Sequence, residues 1–418
     1  MEILEGHGRG ETLTPDDVRA SFEGWTGGEV DDIQIGAICT ALAGQMFTGS
    51  NVAALAGALV ASGERLELGS LGPIGEIITT GCAGDALALV ACPLAASLGV
   101  MVTATADAGL GWLGGLADKL EAIGSYAVDL SLTEFVRSLK TNGIVVARRS
   151  GRILPADDRL RDIAESIGAL GLPVLVASSA AAKGIAGGAP AVAVAAMFGS
   201  GGWLRDKAAA EALVEGIRGA LAPWDRAVVT TLIECQQPLG RMLGTTLEVR
   251  GAAEVLQGSG ANDLRAQAID LAGQLAEATG VADAGSGRDA ATAALDDGRA
   301  LAAAERWVEG QRGDPKVWTD PAAGYVAPLL LAVPAPRDGV VTALNGRAVA
   351  EAARWVGAAR LHPAQVIDHS VGVVLVAKVG DHVVRDEPMA FVHARNQDLG
   401  ERAVAQIEAA TAVDGTGA

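Results

Sequence analysis

The stretch 76-EIITTGCAGDALALVACP-93 decides the fold. Strand-forming residues lead into a Gly-containing turn, and a helix opens at Asp85. This strand–turn–helix unit is the arrangement that presents backbone N–H groups to a phosphate. It contains no Lys, Arg or His, so the cradle carries no cation of its own.

Working outward, a strand is expected over 100–106, followed by the Gly-rich run 107-DAGLGWLGG-115 and a helix with Asp118 and Lys119. Strand 143-GIVVA-147 ends in the basic cluster Arg148, Arg149 and Arg152. Helix is expected over 160–170 and a short strand over 173-PVLVA-177. The apolar run within 189-APAVAVAAMFGSGGW-203 reads as a strand buried on both faces. Upstream, 14-TPDD-17 is a helix start with an N-cap, a Pro and first-turn acids. Residues 14 to about 66 read as three or four helices. Helices and strands alternate to about residue 330; beyond Pro334, Asp-Gly and Gly-Asp turns mark a small α+β lobe.

Composition narrows the function. The net charge of −18 argues against nucleic acid or an anionic membrane as partner. Half the residues are hydrophobic but only 3% aromatic, so Ala, Val, Leu and Ile must build the cores. Cys39, Cys82, Cys92 and Cys235 form no CxxC pair and read as reduced thiols of a cytoplasmic protein. The uncharged segment 86–106 is long enough to span a bilayer, but Pro93 and Gly99 divide it into a buried helix and a buried strand.

In order, these landmarks resemble the thymidine/pyrimidine-nucleoside phosphorylase family, a fold shared with anthranilate phosphoribosyltransferase. The most specific stretches are 236-QQPLGRMLGTTLEVRGA-252 and 367-IDHSVGVVLVAKVGDHV-383, with 109-GLGWLGGLADKLEAI-123 and 199-GSG-201. The resemblance implies the fold class: α/β, with an all-α domain from two segments, a larger α/β domain with a mixed sheet, and the C-terminal α+β lobe. The expected segments are 1–70 (α), 71–156 (α/β), 157–190 (α), 191–333 (α/β) and 334–418 (lobe). It also implies a hinged cleft and a homodimer through the α domain.

The family splits a pyrimidine nucleoside with inorganic phosphate and needs no metal or organic cofactor. Its first phosphate loop reads Asp-Lys-His-Ser-Thr-Gly-Gly-x-Gly-Asp. Here Glu76, Ile77 and Ile78 replace the Asp, Lys and His, Thr79 stands for the Ser, and Cys82 replaces a Gly. Ala88 replaces a further phosphate-binding Ser. In the second loop, Ala106, Ala108, Trp112 and Leu116 stand for the Ser, Arg, His and Thr. Met197 ends the stretch that replaces Asp-x-Lys. Ser179 and Lys183 match the residues that hold the pyrimidine; the base-contacting Arg aligns with Ala164 ungapped, or with Arg161 through a gap.

A helix N-terminus offers an anion about 0.3–2 kcal/mol, whereas each missing charge-assisted bond is worth roughly 1.5–3 kcal/mol. Phosphate binding at this loop is therefore not expected. The catalytic candidates are Lys183, Asp107 and Asp85, the last of which also reads as an N-cap. Substrate contacts are expected from Ser179, Ser178, Thr79, Thr80, Cys82, Arg149 and Met197. Trp112 reads as either a stacking surface or a plug. Three functions stay open: a phosphate-independent enzyme acting on a nucleoside or similar heterocycle–sugar compound, a true phosphorylase with an anion site rebuilt from Arg148, Arg149 and Arg152, and a non-catalytic dimeric binding or scaffold protein.

Overall fold

The computed structural model describes residues 2–415 apart from 44–47, 110, 113, 149–150, 321–323 and 363–364. Its chain opens with helices α1 (Glu2–Gly8), α2 (Pro15–Thr26), α3 (Asp32–Ala43) and α4 (Gly49–Ala61). Thr14 and Asp17 form a reciprocal capping box at the start of α2, as their spacing predicts. Next come β1 (Ile74–Thr79), α5 (Leu87–Ser97), β2 (Met101–Ala106), α6 (Leu116–Glu121), α7 (Leu132–Asn142) and β3 (Ile144–Arg148). Helices α8 (Pro155–Ser166) and α9 (Pro173–Ala186) return to the first bundle, where both share an apolar core with α2–α4.

The strand expected over 173–177 is instead the first turn of α9. Pro173 sits at the first helical position, and the Ala- and Ser-rich run that follows sustains the helix.

The sheet continues with β4 (Ala191–Phe198), crosses through α10 (Lys207–Leu221) to β5 (Ala227–Glu234), and is followed by the short β6 (Met242–Leu243). Strict alternation then stops. Helices α11 (Thr245–Leu256), α12 (Asn262–Ala278), α13 (Gly287–Asp296) and α14 (Arg299–Gly310) follow one another and cover one sheet face. The remaining elements are β7 (Leu329–Pro334), β8 (Gly339–Leu344), α15 (Gly346–Trp355), β9 (Gly372–Leu375), β10 (His382–Val383), β11 (Pro388–Ala394), α16 (Gln397–Ala409) and β12 (Thr411–Asp414).

Among the described residues the main sheet has the order β3-β2-β1-β4-β5, parallel at every pairing. Antiparallel pairing is confined to the sheets β6-β9-β11-β7 and β10-β8-β12. The mixed character thus lies between sheets. Ile77, Val102 and Val146 face the α5/α11–α14 layer, whereas Ile78, Val192 and Val194 face the first helical bundle. Strand order reverses between β1 and β4, so a crevice opens beyond their carboxyl ends. The loops after both strands meet there: Ala83 N–H donates to Gly201 C=O at 2.7 Å. No helix of the described chain is long and apolar enough to cross a membrane.

Candidate active site

The turn after β1 is built for backbone proximity. Gly84 has φ +73°, and a Cβ there would lie 2.4 Å from the Leu239 carbonyl oxygen, so only glycine fits. Thr79 Oγ1 donates to Asp85 Oδ2 at 2.8 Å, and Leu87 N–H donates to Asp85 Oδ1 at 3.2 Å. Asp85 therefore ties the turn to the start of α5, but it is not the expected N-cap: the helix opens at Leu87, and the cap position is Ala86, which has no side-chain bond to offer. The cradle wall is apolar, with Ile77, Ala88 and Leu116 around a cavity of about 550 Å³ including its solvent-open mouth. Cys82 also lines it; burial, with Cys235 adding to it, pushes its thiol well above the usual range.

Two lysines reach this cradle, Lys183 from α9 and Lys119 from α6. Lys119 Nζ donates to the Asp85 carbonyl at 2.5 Å and pairs with Glu248 at 2.8 Å. Burial pulls the ammonium down, but the Glu248 and Asp85 carboxylates outweigh it, and its pKa ends above the ordinary value. Lys119 is a charged group already answered within the fold.

The second loop is held by Asp118, whose Oδ2 accepts from Gly109 N–H at 2.9 Å and Gly115 N–H at 2.8 Å. Arg360 from the C-terminal lobe pairs with the same carboxylate at 3.0 Å. At its start stands Asp107, whose Oδ2 receives Lys183 Nζ at 2.5 Å and the Arg161 guanidinium at 2.9 Å. Arg161 also donates to Ala108 C=O at 3.1 Å and Gly109 C=O at 2.9 Å. Arg161 comes from α8 and Lys183 from α9, so this triad ties the helical bundle to the end of β2. Its side chains are about one-eighth exposed or less.

Beside it lies a cavity of about 600 Å³ including its mouth, walled by Leu160, Ala164, Leu175 and Trp203 and floored by Thr79 and Thr80. Asp107, Arg161, Ser179 and Lys183 supply its polar rim. Ser179 Oγ donates to buried Asp157 at 2.9 Å. Arg161 and Ala164 both line this wall, so the guanidinium enters one helical turn before the ungapped alignment position. A larger open cavity of about 1010 Å³ behind Gly84 has its lysine, Lys378, paired with Asp263 and donating to Pro238 and Gly240 carbonyls.

The structure thus brings together Lys183, Asp107, Asp85, Ser179, Thr79, Thr80 and Cys82, and separates three other expected residues. Ser178 is fully buried and donates to Val52 C=O at 3.3 Å, because it lies one 100° step around α9 from Ser179, toward α4. Met197 points into the core beneath the sheet; only its N–H acts near the cleft, donating to Thr80 Oγ1 at 2.9 Å. Trp112 packs into the C-terminal lobe's core, 5.0 Å from Trp203 between ring centroids. Trp203, one residue past the Gly-rich loop, takes the cleft position instead. Arg149 lies outside the described residues. Arg148 pairs with Glu121 and Arg152 with Glu64. Among the described residues no histidine lines either cleft cavity, and no group of three or more His, Cys, Asp or Glu is placed to hold a metal ion.

Sequence reasoning offered Arg161 only as a gapped alternative, and missed Lys119, Asp157 and Trp203 as cleft groups. A helical-wheel comparison of 157, 160, 161 and 164 finds the first and third, since these positions share one face of α8.

Two family models match the chain: a glycosyl transferase family helical bundle domain over residues 1–63 and a pyrimidine nucleoside phosphorylase C-terminal domain over 340–414. The pyrimidine-nucleoside phosphorylase of Staphylococcus epidermidis is 30% identical over 406 residues, covering 96% of this chain and 93% of the relative. That of Bacillus subtilis is 31% identical with the same coverage. Anthranilate phosphoribosyltransferase from Thermus thermophilus superposes with a TM-score of 0.57 at 19% identity, over 75% of this chain and all of that one. This last likeness concerns the fold alone.

Proposed function

Because the chain belongs to the pyrimidine-nucleoside phosphorylase family and is an enzyme of pentosyltransferase fold, we propose that it acts on the C–N glycosidic bond of a pyrimidine nucleoside or closely related heterocycle–sugar compound. The observation that carries this is the convergence of Ser179, Lys183 and Arg161 on one cavity with apolar walls and an aromatic side chain, Trp203. Apolar surfaces suit the two faces of a flat ring, and the donors at the rim suit its carbonyl edge. Lys183 is assigned to the ring carbonyl, where its charge also stabilises the departing ring. Arg161 and Ser179 are assigned to orientation.

The relatives' names favour phosphorolysis, with inorganic phosphate as acceptor. That reading needs an anion site rebuilt from arginines; among the described residues Arg161 lines the cleft, while Arg148 and Arg152 pair with Glu121 and Glu64. One observation favours a second reading, in which the acceptor is not phosphate: the cradle is lined by Ile77, Ala88 and Leu116, and its Lys119 is held by Glu248. We also propose the five-segment domain division, a homodimer through the helical domain and a cytoplasmic location. The core shared by α2–α4 with α8 and α9 supports the first; family resemblance supports the second, and four free, buried thiols the third. Light scattering and cell fractionation test the last two.

The enzyme is tested by incubation with uridine and thymidine in phosphate-containing buffer, which permits either acceptor, with chromatography of the products. Release of the free pyrimidine is expected. Intact nucleosides at high enzyme concentration, together with no calorimetric binding of either, reject the assignment.

A further inference from the structure

We infer that Asp107 selects the sugar: its carboxylate accepts a hydrogen bond from the 2′-hydroxyl of a ribonucleoside, so the cleft favours ribose over 2′-deoxyribose. The inference rests on the nucleoside reading above and names the sugar class that reading leaves open. It holds for either acceptor.

Asp107 lines both the 600 Å³ ring cavity and the 550 Å³ cradle cavity, as do Ile78, Thr79 and Lys183. These four side chains mark the junction of the two spaces. A nucleoside with its ring in the first cavity and its acceptor in the second must place the anomeric carbon there. That carbon is bonded to the ring nitrogen and is the atom the acceptor attacks. The 2′-hydroxyl sits on the adjoining carbon, fewer bonds away than the 3′- and 5′-hydroxyls, so a group at the junction meets it first.

The four groups differ in what they offer a hydroxyl. Ile78 offers apolar surface. The Lys183 ammonium has donors only and directs one at Asp107. Thr79 already donates to Asp85. Asp107 contributes a carboxylate, an acceptor with two oxygens and about four lone-pair sites. Lys183 at 2.5 Å and Arg161 at 2.9 Å both meet its Oδ2, and a carboxylate held by two cations still accepts from a hydroxyl. The cations offset its charge, so the junction does not repel an anionic acceptor. Anchored from α8 and α9, the carboxylate is also in place before the sugar arrives. Its side chain is 12% exposed, open to the cleft but largely removed from bulk water, where a charge-assisted bond keeps its strength.

This bond tightens as the reaction proceeds. Breaking the link between sugar and ring nitrogen develops positive charge on the sugar, and hydrogen bonds to the 2-hydroxyl strengthen in such a transition state. The hydroxyl proton stays on its oxygen throughout. Discrimination therefore falls on kcat as well as on kcat/KM. One hydrogen bond to a charged acceptor corresponds to about 10–10²-fold in rate.

The test is base release from uridine and 2′-deoxyuridine, which share one base and differ by one hydroxyl, in phosphate-containing buffer with the wild-type enzyme and Asp107→Ala. The expected wild-type kcat/KM ratio is about 10–10² in favour of uridine, and it falls to near one in Asp107→Ala. Arabinosyl uracil, whose 2′-hydroxyl projects from the opposite face of the sugar, should lose the same advantage in the wild-type enzyme. A wild-type ratio near one, or one favouring 2′-deoxyuridine, overturns the inference while leaving the nucleoside assignment standing. So does an Asp107→Ala enzyme that slows both reactions with the ratio unchanged, the outcome of a purely structural ion pair. If Asp107→Ala does not fold, Asp107→Asn keeps the shape and a neutral acceptor; its ratio is expected to shrink to about 2–10, and an undiminished ratio overturns the inference. No base release and no calorimetric binding with any of the three compounds overturns the nucleoside assignment, and the inference with it.

Discussion

Lys183→Met is the most informative single change to the cleft. Methionine keeps the aliphatic stem and removes the ammonium that sits 2.5 Å from Asp107 Oδ2. Removing one partner of a buried pair costs about 3–5 kcal/mol when the other charge is stranded. Here Arg161 still reaches the same oxygen at 2.9 Å, so the loss should approach that of one charge-assisted bond, about 1.5–3 kcal/mol. Asp107→Ala takes a carboxylate from two cations at once and should cost more, about 3–5 kcal/mol. Because the two residues share one interaction, the double variant should cost less than the sum of the singles by about 1–3 kcal/mol. Urea denaturation followed by circular dichroism reads the stabilities, and pyrimidine release reads activity, which should fall by about 10²–10³ for Lys183→Met. A coupling below about 0.3 kcal/mol together with unchanged turnover would show that the pair is a bystander and refute the reasoning.

Other changes probe the walls and the lobe. At Gly171 an added Cβ would lie 2.6 Å from a ring carbon of Trp203, so Gly171→Ala should displace the indole, cost about 1–3 kcal/mol and weaken nucleoside binding, read by tryptophan fluorescence. Ile77→Lys places an ammonium at a position 2% exposed; it should destabilise the fold and, even combined with Ala88→Ser and Ala106→Ser, produce no phosphate-dependent thymine release in the chromatographic assay. Burial lowers the pKa of His369, opposed by Glu121, Asp118 and Asp368, and likewise that of His393, with Arg250 adding to the effect. Both are held neutral, so the folded protein takes up protons later than the unfolded chain as pH falls. Their contribution is complete above about pH 6.5 and is lost as pH drops through the folded values. Acid unfolding midpoints should therefore shift down in His369→Gln and His393→Gln.

Where the sequence carried its own local signal, it could be read. The Thr14 cap, the β1–turn–α5 unit, the apolar β4 and the turns of the C-terminal lobe depend on residues close together in the chain. Asp107, Lys183 and Ser179 could be picked out because they sit in, or beside, stretches that keep a family pattern. Contacts made by packing could not. Arg161 reaches Asp107 only because α8 lies over the end of β2, and Lys119 reaches the cradle only because α6 turns it toward Asp85 and Glu248. Trp112 is marked in the sequence by its place in the second loop, whereas nothing there marks Trp203 as a cleft aromatic. The choice between them is made by the C-terminal lobe, whose core takes Trp112 and whose Arg347 lies 5.5 Å from its ring centroid. Ser178 and Ser179 are neighbours whose fates differ by one 100° step around α9.

In the proposed function this cleft recognises a pyrimidine nucleoside while its cradle has no place for a phosphate dianion. Calorimetric titration of the purified enzyme with uridine, and separately with inorganic phosphate to millimolar concentration, tests it most directly. Saturable heat is expected with uridine and is lost in Lys183→Met, and no saturable heat is expected with phosphate, whether or not uracil is present. Saturable phosphate binding that Arg161→Ala abolishes would contradict it and establish the rebuilt arginine site in its place.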